Sequence, residues 1–227
     1  MRGMSLSGLI DRDLAALPIF PLPNVVLFPG ALLPLHVFEP RYRQLVREVL
    51  AGRKLMGIVR LKPGFEEDYE GRPPIFDVCG VGSVIDSVEH ADGRFDITLR
   101  GLARARILEE LPPTRAFREV RLEELRDGFS DAGVTSAWQR KLISLWASLA
   151  HHLPESVRDL RALTRGAEGA GAYADRLAAA LVGDPDASQR LLAEPDPTER
   201  LRLLTEKLQQ VHDSVAPLNS ARRTELN

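Results

Sequence analysis

The side chains best suited to acid–base or metal chemistry in this 227-residue chain are five histidines, at 36, 90, 151, 152 and 212, and a lone cysteine, Cys79. "HHLPE" (151–155) sets two histidines beside a glutamate. Zinc needs ligands that converge on one side, whereas adjacent residues of a helix point about 100° apart. These histidines therefore read as solvated groups at a helix end. His36 lies in an apolar run and reads as a partly buried, satisfied histidine, with Glu39 three residues on as its partner in sequence. Cys79 sits in "FDVCGVGSV", an apolar strand-like run in which a thiol is buried and inert rather than nucleophilic. No Ser–His–Asp arrangement follows from the spacing. No catalytic residue, no metal site and no cofactor is expected.

Recognition chemistry is better represented. Phe65 and Tyr69 punctuate a polar loop, "KPGFEEDYEGRPP" (62–74), where they serve either as peptide anchors or as a lid folded back onto the core. Eight acids against one arginine fill 66–92, while 39–54 holds five basic and two acidic residues. Solvated faces explain both runs; steering of a basic partner, or self-association of opposed patches, is the sharper reading. Arg94, Arg100, Arg104 and Arg106 share even parity, as residues on one strand face do, although Gly101 interrupts the alternation.

These residues need elements to position them. Between Asp13 and Glu39 stand 25 uncharged, mostly apolar residues, long enough to span a membrane. Prolines at 18, 21, 23, 29 and 34 exclude the helix that spanning would require, because each interior proline costs about 3 kcal/mol. The run must be extended: "NVVLF" (24–28) as a buried strand turned at Pro29-Gly30, then "LLPLHVF" as an edge or bulged strand interrupted by Pro34. Unpaired backbone around Pro23, Pro29 and Pro34 suits capture of an extended peptide by strand addition, and equally protects an edge from aggregation. Pro40 opens a helix whose apolar side is Tyr42, Leu45, Val46, Val49 and Leu50, with Gly52 as its stop. Strands follow at 54–61, 76–90, 95–108 and 116–125, with Gly80 and Gly82 marking a bulge or close backbone approach and Asp92-Gly93 a hairpin turn. From 134 the pattern is helical throughout: a face of Trp138, Leu142, Leu145, Trp146 and Leu149; a flexible joint at 166–171; and a last helix opened by Asp196, Pro197 and Glu199.

The totals fit this picture. The formal net charge is −2, so no global basic field points to nucleic acid or an anionic membrane. One cysteine fits a reducing cytoplasm, and "MRGMSLSGLIDRDLAALPIF" carries no signal-peptide pattern.

Three stretches, "LPIFPLPNVVLFPGALLPLHVFEPRYRQL" (17–45), "VGSVIDSVEHADGRFDITLRGLARARI" (81–107) and "LLAEPDPTERLRLL" (191–204), together resemble the N-terminal, substrate-binding domain family of Lon proteases, closest to its stand-alone bacterial members. The resemblance covers about 14 to 213. It implies an α+β fold: a twisted, partly closed PUA-like β-subdomain with one short helix over 14–126, then an α-helical bundle over 134–215. Residues 1–13 and 216–227 are expected to be flexible termini. The Gly-x-x-x-x-Gly-Lys-Ser/Thr phosphate loop of an ATPase is absent. None of the lysines, at 54, 62, 141 and 207, follows a serine in a catalytic setting. The resemblance therefore implies a non-catalytic, cytoplasmic protein-recognition module for quality control. Its expected partners are unfolded or extended protein segments, a Lon-type protease or another quality-control protein, and a second copy in a homodimer. Pro29, Leu33, Pro34, Phe65 and Tyr69 are the candidate peptide-binding residues. The alternative is an RNA-binding protein using the PUA-like subdomain; membrane binding is not expected.

Overall fold

The computed structural model describes residue 9 and residues 11–69, 71–150 and 155–224; His151 and His152 lie outside these. The described chain divides into two units. The first holds the chain up to Arg126 together with Gly183–Ala193, and the second holds Asp127–Val182 and the chain from Glu194 onward.

In the first unit, the elements run in the order α1 (Asp11–Ala15), β1 (Leu17–Leu22), β2 (Leu32–Val37), α2 (Pro40–Ala51), β3 (Leu55–Arg60), β4 (Val78–Glu89), β5 (Phe95–Glu110) and β6 (Arg118–Glu124). The strand order is β2-β5-β4-β3-β1-β6, and β5 also pairs with β6, so five strands close into a ring. All pairs are antiparallel except β1 with β3. The sixteen-residue β5 makes this closure by serving two neighbours in turn. Its first half, Phe95–Arg100, pairs with β2, and Ala105–Glu110 pairs with β6.

The uncharged run has a different internal division from the expected one. "LPIFPL" is the strand, β1, and 24–28 is not. β1 is buried on both faces: Phe20 packs in a core under α2 with Tyr42, Leu45, Met56 and Phe95, while Ile19 packs in a second core with Val59, Cys79, Val81 and Val120. A strand covered on both sides reads as a continuous apolar run rather than an alternating one. Residues 24–28 instead lay their backbone over two glycines. A Cβ placed on Gly80 would lie 2.0 Å from the Leu27 carbonyl oxygen, and one on Gly101 2.0 Å from that of Phe28. Gly30 N–H donates to the Gly101 carbonyl at 2.8 Å and Gly101 N–H to that of Ala31 at 2.9 Å, which locks the crossing. The expected close approach at Gly80 is therefore present, with a register shift at Val81/Gly82.

α2 begins at Pro40 as its signals require and stops at Gly52 as expected, its last residue being Ala51. Gly52 has φ −106°, and the left-handed residue is Lys54 at φ 59°. The 1–13 stretch, expected to be flexible, is anchored at its end: Leu9 and Asp13 are buried, and Arg53 pairs with Asp13.

Cys79 is fully buried in β4, and burial pushes its thiol up to about 12. The native protein is expected not to react with a thiol-specific disulfide reagent at pH 8, whereas the chain in denaturant reacts at once. Fast native labelling would contradict this.

The second unit contains α3 (Ala132–Leu149), α4 (Glu155–Arg158), α5 (Leu160–Leu163), α6 (Gly169–Leu181) and, after an interval, α8 (Pro197–Thr224). The interval is α7 (Pro185–Ala193), which belongs to the first unit: Gln189 Nε2 donates to the Val78 carbonyl at 2.9 Å, and Arg60 bonds Asp186 at 2.6 Å. The helical subdomain expected over 134–215 thus lacks 183–193, and α8 runs on to Thr224. α3 and α6 both pack on α8. Asp196 caps α8, its carboxylate accepting the Thr198 N–H at 2.8 Å. The expected joint at 166–171 is shorter, because Gly169, Ala170 and Gly171 already belong to α6. No helix among the described residues is long and apolar enough to cross a membrane.

Candidate functional site

Among the described residues β2 is paired on one side only, to β5, so its other edge is open. Its burial alternates with the period of a half-covered strand: Leu32, Pro34 and His36 point outward, Leu33 and Leu35 inward. Beyond its end Phe38 is 60% exposed, and Leu32 is 59% exposed. The register sets Leu32 opposite Arg100, Pro34 opposite Thr98 and His36 opposite Asp96. On the far side of β5, Asp86 stands opposite Thr98 and Val88 opposite Asp96. Val88 and Ile85, at the second register shift of β4, are also exposed. The result is a three-stranded outer face with apolar and polar groups interleaved. A shallow groove of about 280 Å³ runs across it, lined by Pro34, His36, Asp86, Val88 and Asp96 among others.

The candidate peptide-binding residues fall in four places. Pro34 lies on this outer face. Leu33 faces the opposite way and packs against the core under α2, and Pro29 is half-buried in the turn completed by Gly30 at φ 76°. Phe65 and Tyr69 lie at a 3-10 turn, Phe65–Asp68, with ring centroids 6.1 Å apart and both half-buried. Tyr69 is folded back. Its hydroxyl donates to Glu39 Oε1 at 2.9 Å, its carbonyl accepts from Arg41, and the Arg41 guanidinium lies 5.4 Å from its ring centroid. Burial, then the bond to Glu39, raises its phenol above the ordinary tyrosine value. With Arg41, Tyr42, Arg72, Phe117 and Arg118 it lines a cleft of about 230 Å³.

Glu39 bonds Tyr69 and Arg41, not His36. His36 is exposed, and its Nδ1 lies 2.6 Å from Asp96 Oδ1. Asp96 also meets His90, Nε2 to Oδ2, at 2.7 Å. Hydrogen bonds from His36 and then His90 hold its carboxyl below the ordinary range. Sequence reasoning missed this group, because 60 positions separate His36 from Asp96 and only the β2–β5 register joins them. The four arginines do not line one exposed face: Arg104 is buried while Arg94, Arg100 and Arg106 are exposed. The acids of 66–92 are dispersed as well. Glu66, Glu67 and Asp68 lie in the 3-10 turn, Asp77 just precedes the twelve-residue β4, and Glu89 ends it, paired with Arg47 of α2.

A mixed, ring-closed β unit with a helical unit beside it in sequence is the fold of Lon N-terminal domains. The structure resembles the N-terminal domain of Mycobacterium avium complex Lon protease with a TM-score of 0.65 at 19% identity, covering 86% of this chain and 98% of that one. It resembles a Lon N-terminal domain protein from Xanthomonas campestris with a TM-score of 0.56 at 24% identity, covering 84% and 96%. The chain belongs to the ATP-dependent protease La (LON) substrate-binding domain family, which matches residues 16–210. Among its relatives are the Lon proteases of Dictyoglomus thermophilum, 26% identical over 83% of this chain, and Roseiflexus castenholzii, 30% identical over 82%. The chain spans about a quarter of the length of these relatives, 24% and 23% respectively.

Proposed function

We propose that this chain is a non-catalytic protein-recognition module that binds unfolded or extended polypeptide segments at the open edge of β2. The observation that carries the reading is the unpaired edge beside two exposed apolar side chains, Leu32 and Phe38. An extended segment laid along that edge finds main-chain hydrogen bonds for its backbone and apolar surface for alternate side chains. Pro34, with no N–H, limits the donors β2 can offer and so guards against indefinite sheet growth. Membership of the Lon substrate-binding family supports protein segments as the ligand. In this reading the module works in the cytoplasm as an adaptor or regulator, alongside a Lon-type protease or another quality-control protein.

The test is fluorescence anisotropy with a labelled, permanently unfolded polypeptide and its folded counterpart. Binding at micromolar concentration is expected for the unfolded form alone. The double substitution Leu32→Ser, Phe38→Ser is expected to weaken it about tenfold. Both side chains are exposed, so stability should change by no more than about 0.5 kcal/mol. Failure to bind the unfolded chain, or binding indifferent to the double substitution, would sink the reading.

A further inference from the structure

We propose that His36, His90 and Asp96 form a zinc site on the outer face of the β2–β5–β4 sheet. Among the described residues these three bring together two imidazole nitrogens and a carboxylate oxygen within 4.8 Å of one another. Two nitrogens and one oxygen are a donor set suited to Zn²⁺, with a fourth position left to water.

Three features argue for a site rather than a chance cluster. Two of the ligands stand on strands that the sheet holds fixed, and the third is fixed by the turn that joins β4 to β5. His36 and Asp96 are register partners across β2 and β5, and His90 is set by the hairpin turn, where its N–H donates to the Arg94 carbonyl and its carbonyl accepts from Gly93, both at 2.8 Å. Sites built on strands hold their geometry better than sites on loops. Second, each imidazole aims a nitrogen at a different oxygen of one carboxylate, at 2.6 and 2.7 Å. One divalent ion can replace the two protons those contacts share. Third, the adjustment is small. A tetrahedral ion about 2.1 Å from each donor holds donors roughly 3.4 Å apart, so the pairs move by about an ångström. The side chains are 46%, 39% and 54% exposed for His36, His90 and Asp96, which leaves room for that rotation and for the water.

Arg94 is the opposing charge. Its Nη1 lies 3.4 Å from His36 Nε2, and its Nε donates to Asp92 at 2.7 Å. Its side chain is half exposed, so it can turn toward Asp92 and solvent as the ion enters. Bound zinc would tie the edge strand β2 to the β4–β5 hairpin.

The experiment is calorimetric titration of the chelator-treated full-length chain with zinc chloride, paired with thermal melts. One zinc per chain and a rise in melting temperature are expected, because an ion that binds the folded state alone stabilises it. His36→Ala and His90→Ala should each weaken binding about tenfold or more and abolish the rise, while melting normally without zinc. The double variant His151→Ala, His152→Ala should bind as the parent does. Absence of saturable binding, or undiminished binding in His90→Ala, would overturn the proposal; so would loss of binding in the His151/His152 variant.

Discussion

Gly101→Ala is expected to lower the stability of the β unit by about 3 kcal/mol or more, among the largest effects of any single methyl group in this chain. The added carbon would lie 2.0 Å from the Phe28 carbonyl oxygen and 2.9 Å from its carbonyl carbon. These are backbone atoms and cannot rotate away. Phe28 is itself pinned, with Leu27, by burial and by the bonds from Gly30 and to Ala31. The crossing segment must lift off the sheet, taking two buried side chains with it. Gly80→Ala should behave alike, because it meets the Leu27 carbonyl at 2.0 Å. The two together should cost less than their sum, since lifting one segment relieves both clashes. Gly64→Ala separates close approach from backbone conformation: Gly64 has φ +86° with nothing within 4 Å of an added Cβ, so it should cost about 1–2 kcal/mol. The measurement is the denaturant dependence of Cys79 labelling, because this thiol stands beside Gly80 in β4 and reports the β unit. A shift for Gly101→Ala no larger than for Gly64→Ala would show that the crossing is soft.

The second large effect is expected at Arg200. Its side chain is 1% exposed, and its Nη1 donates to Asp175 at 3.1 Å and its Nη2 to Asp127 at 2.6 Å. Asp175 is also buried. Arg200→Met keeps most of the side-chain volume but removes the cation from a buried carboxylate, which typically costs 3–5 kcal/mol. About that loss is expected for the helical unit. Arg200→Lys restores a charge without the fork that spans two carboxylates, and should recover only part of it. Both tryptophans, Trp138 and Trp146, lie in α3, so their fluorescence in urea reads this unit while Cys79 reads the other. Equal stability of Arg200→Met and the parent would mean that the buried pair contributes nothing.

Much of the fold was legible because local chemistry dictated it. Pro40 and the spacing from Tyr42 to Val49 specify α2, and Asp92-Gly93 specifies a hairpin in which Gly93 has φ 79°. The close approach at Gly80 was legible as well, though not what approaches. β1 was missed because the strand within the extended run was placed at 24–28; pairing with β3 and β6 and burial on both faces put it at Leu17–Leu22, prolines included. The meeting of His36, His90 and Asp96 was missed because it depends on register, a relation between strands that no single stretch of sequence carries. The open edge was foreshadowed by Pro34, whereas the outward exposure of Leu32 and Phe38 required the strand order.

The chain leaves the β unit after Arg126, returns at Gly183 and leaves again after Ala193. That path sets a schedule on the ribosome. All six strands have been translated once Glu124 is made, yet α7 is complete only 69 residues later. At about 5–20 residues per second, that is roughly 3–14 s of synthesis. Throughout that interval the Val78 carbonyl has no Gln189 amide and Arg60 no Asp186 carboxylate. A fragment cut at 126 would hold the nascent chain in that state permanently. Expression of the β unit on its own therefore calls for a graft of 183–193 rather than a truncation.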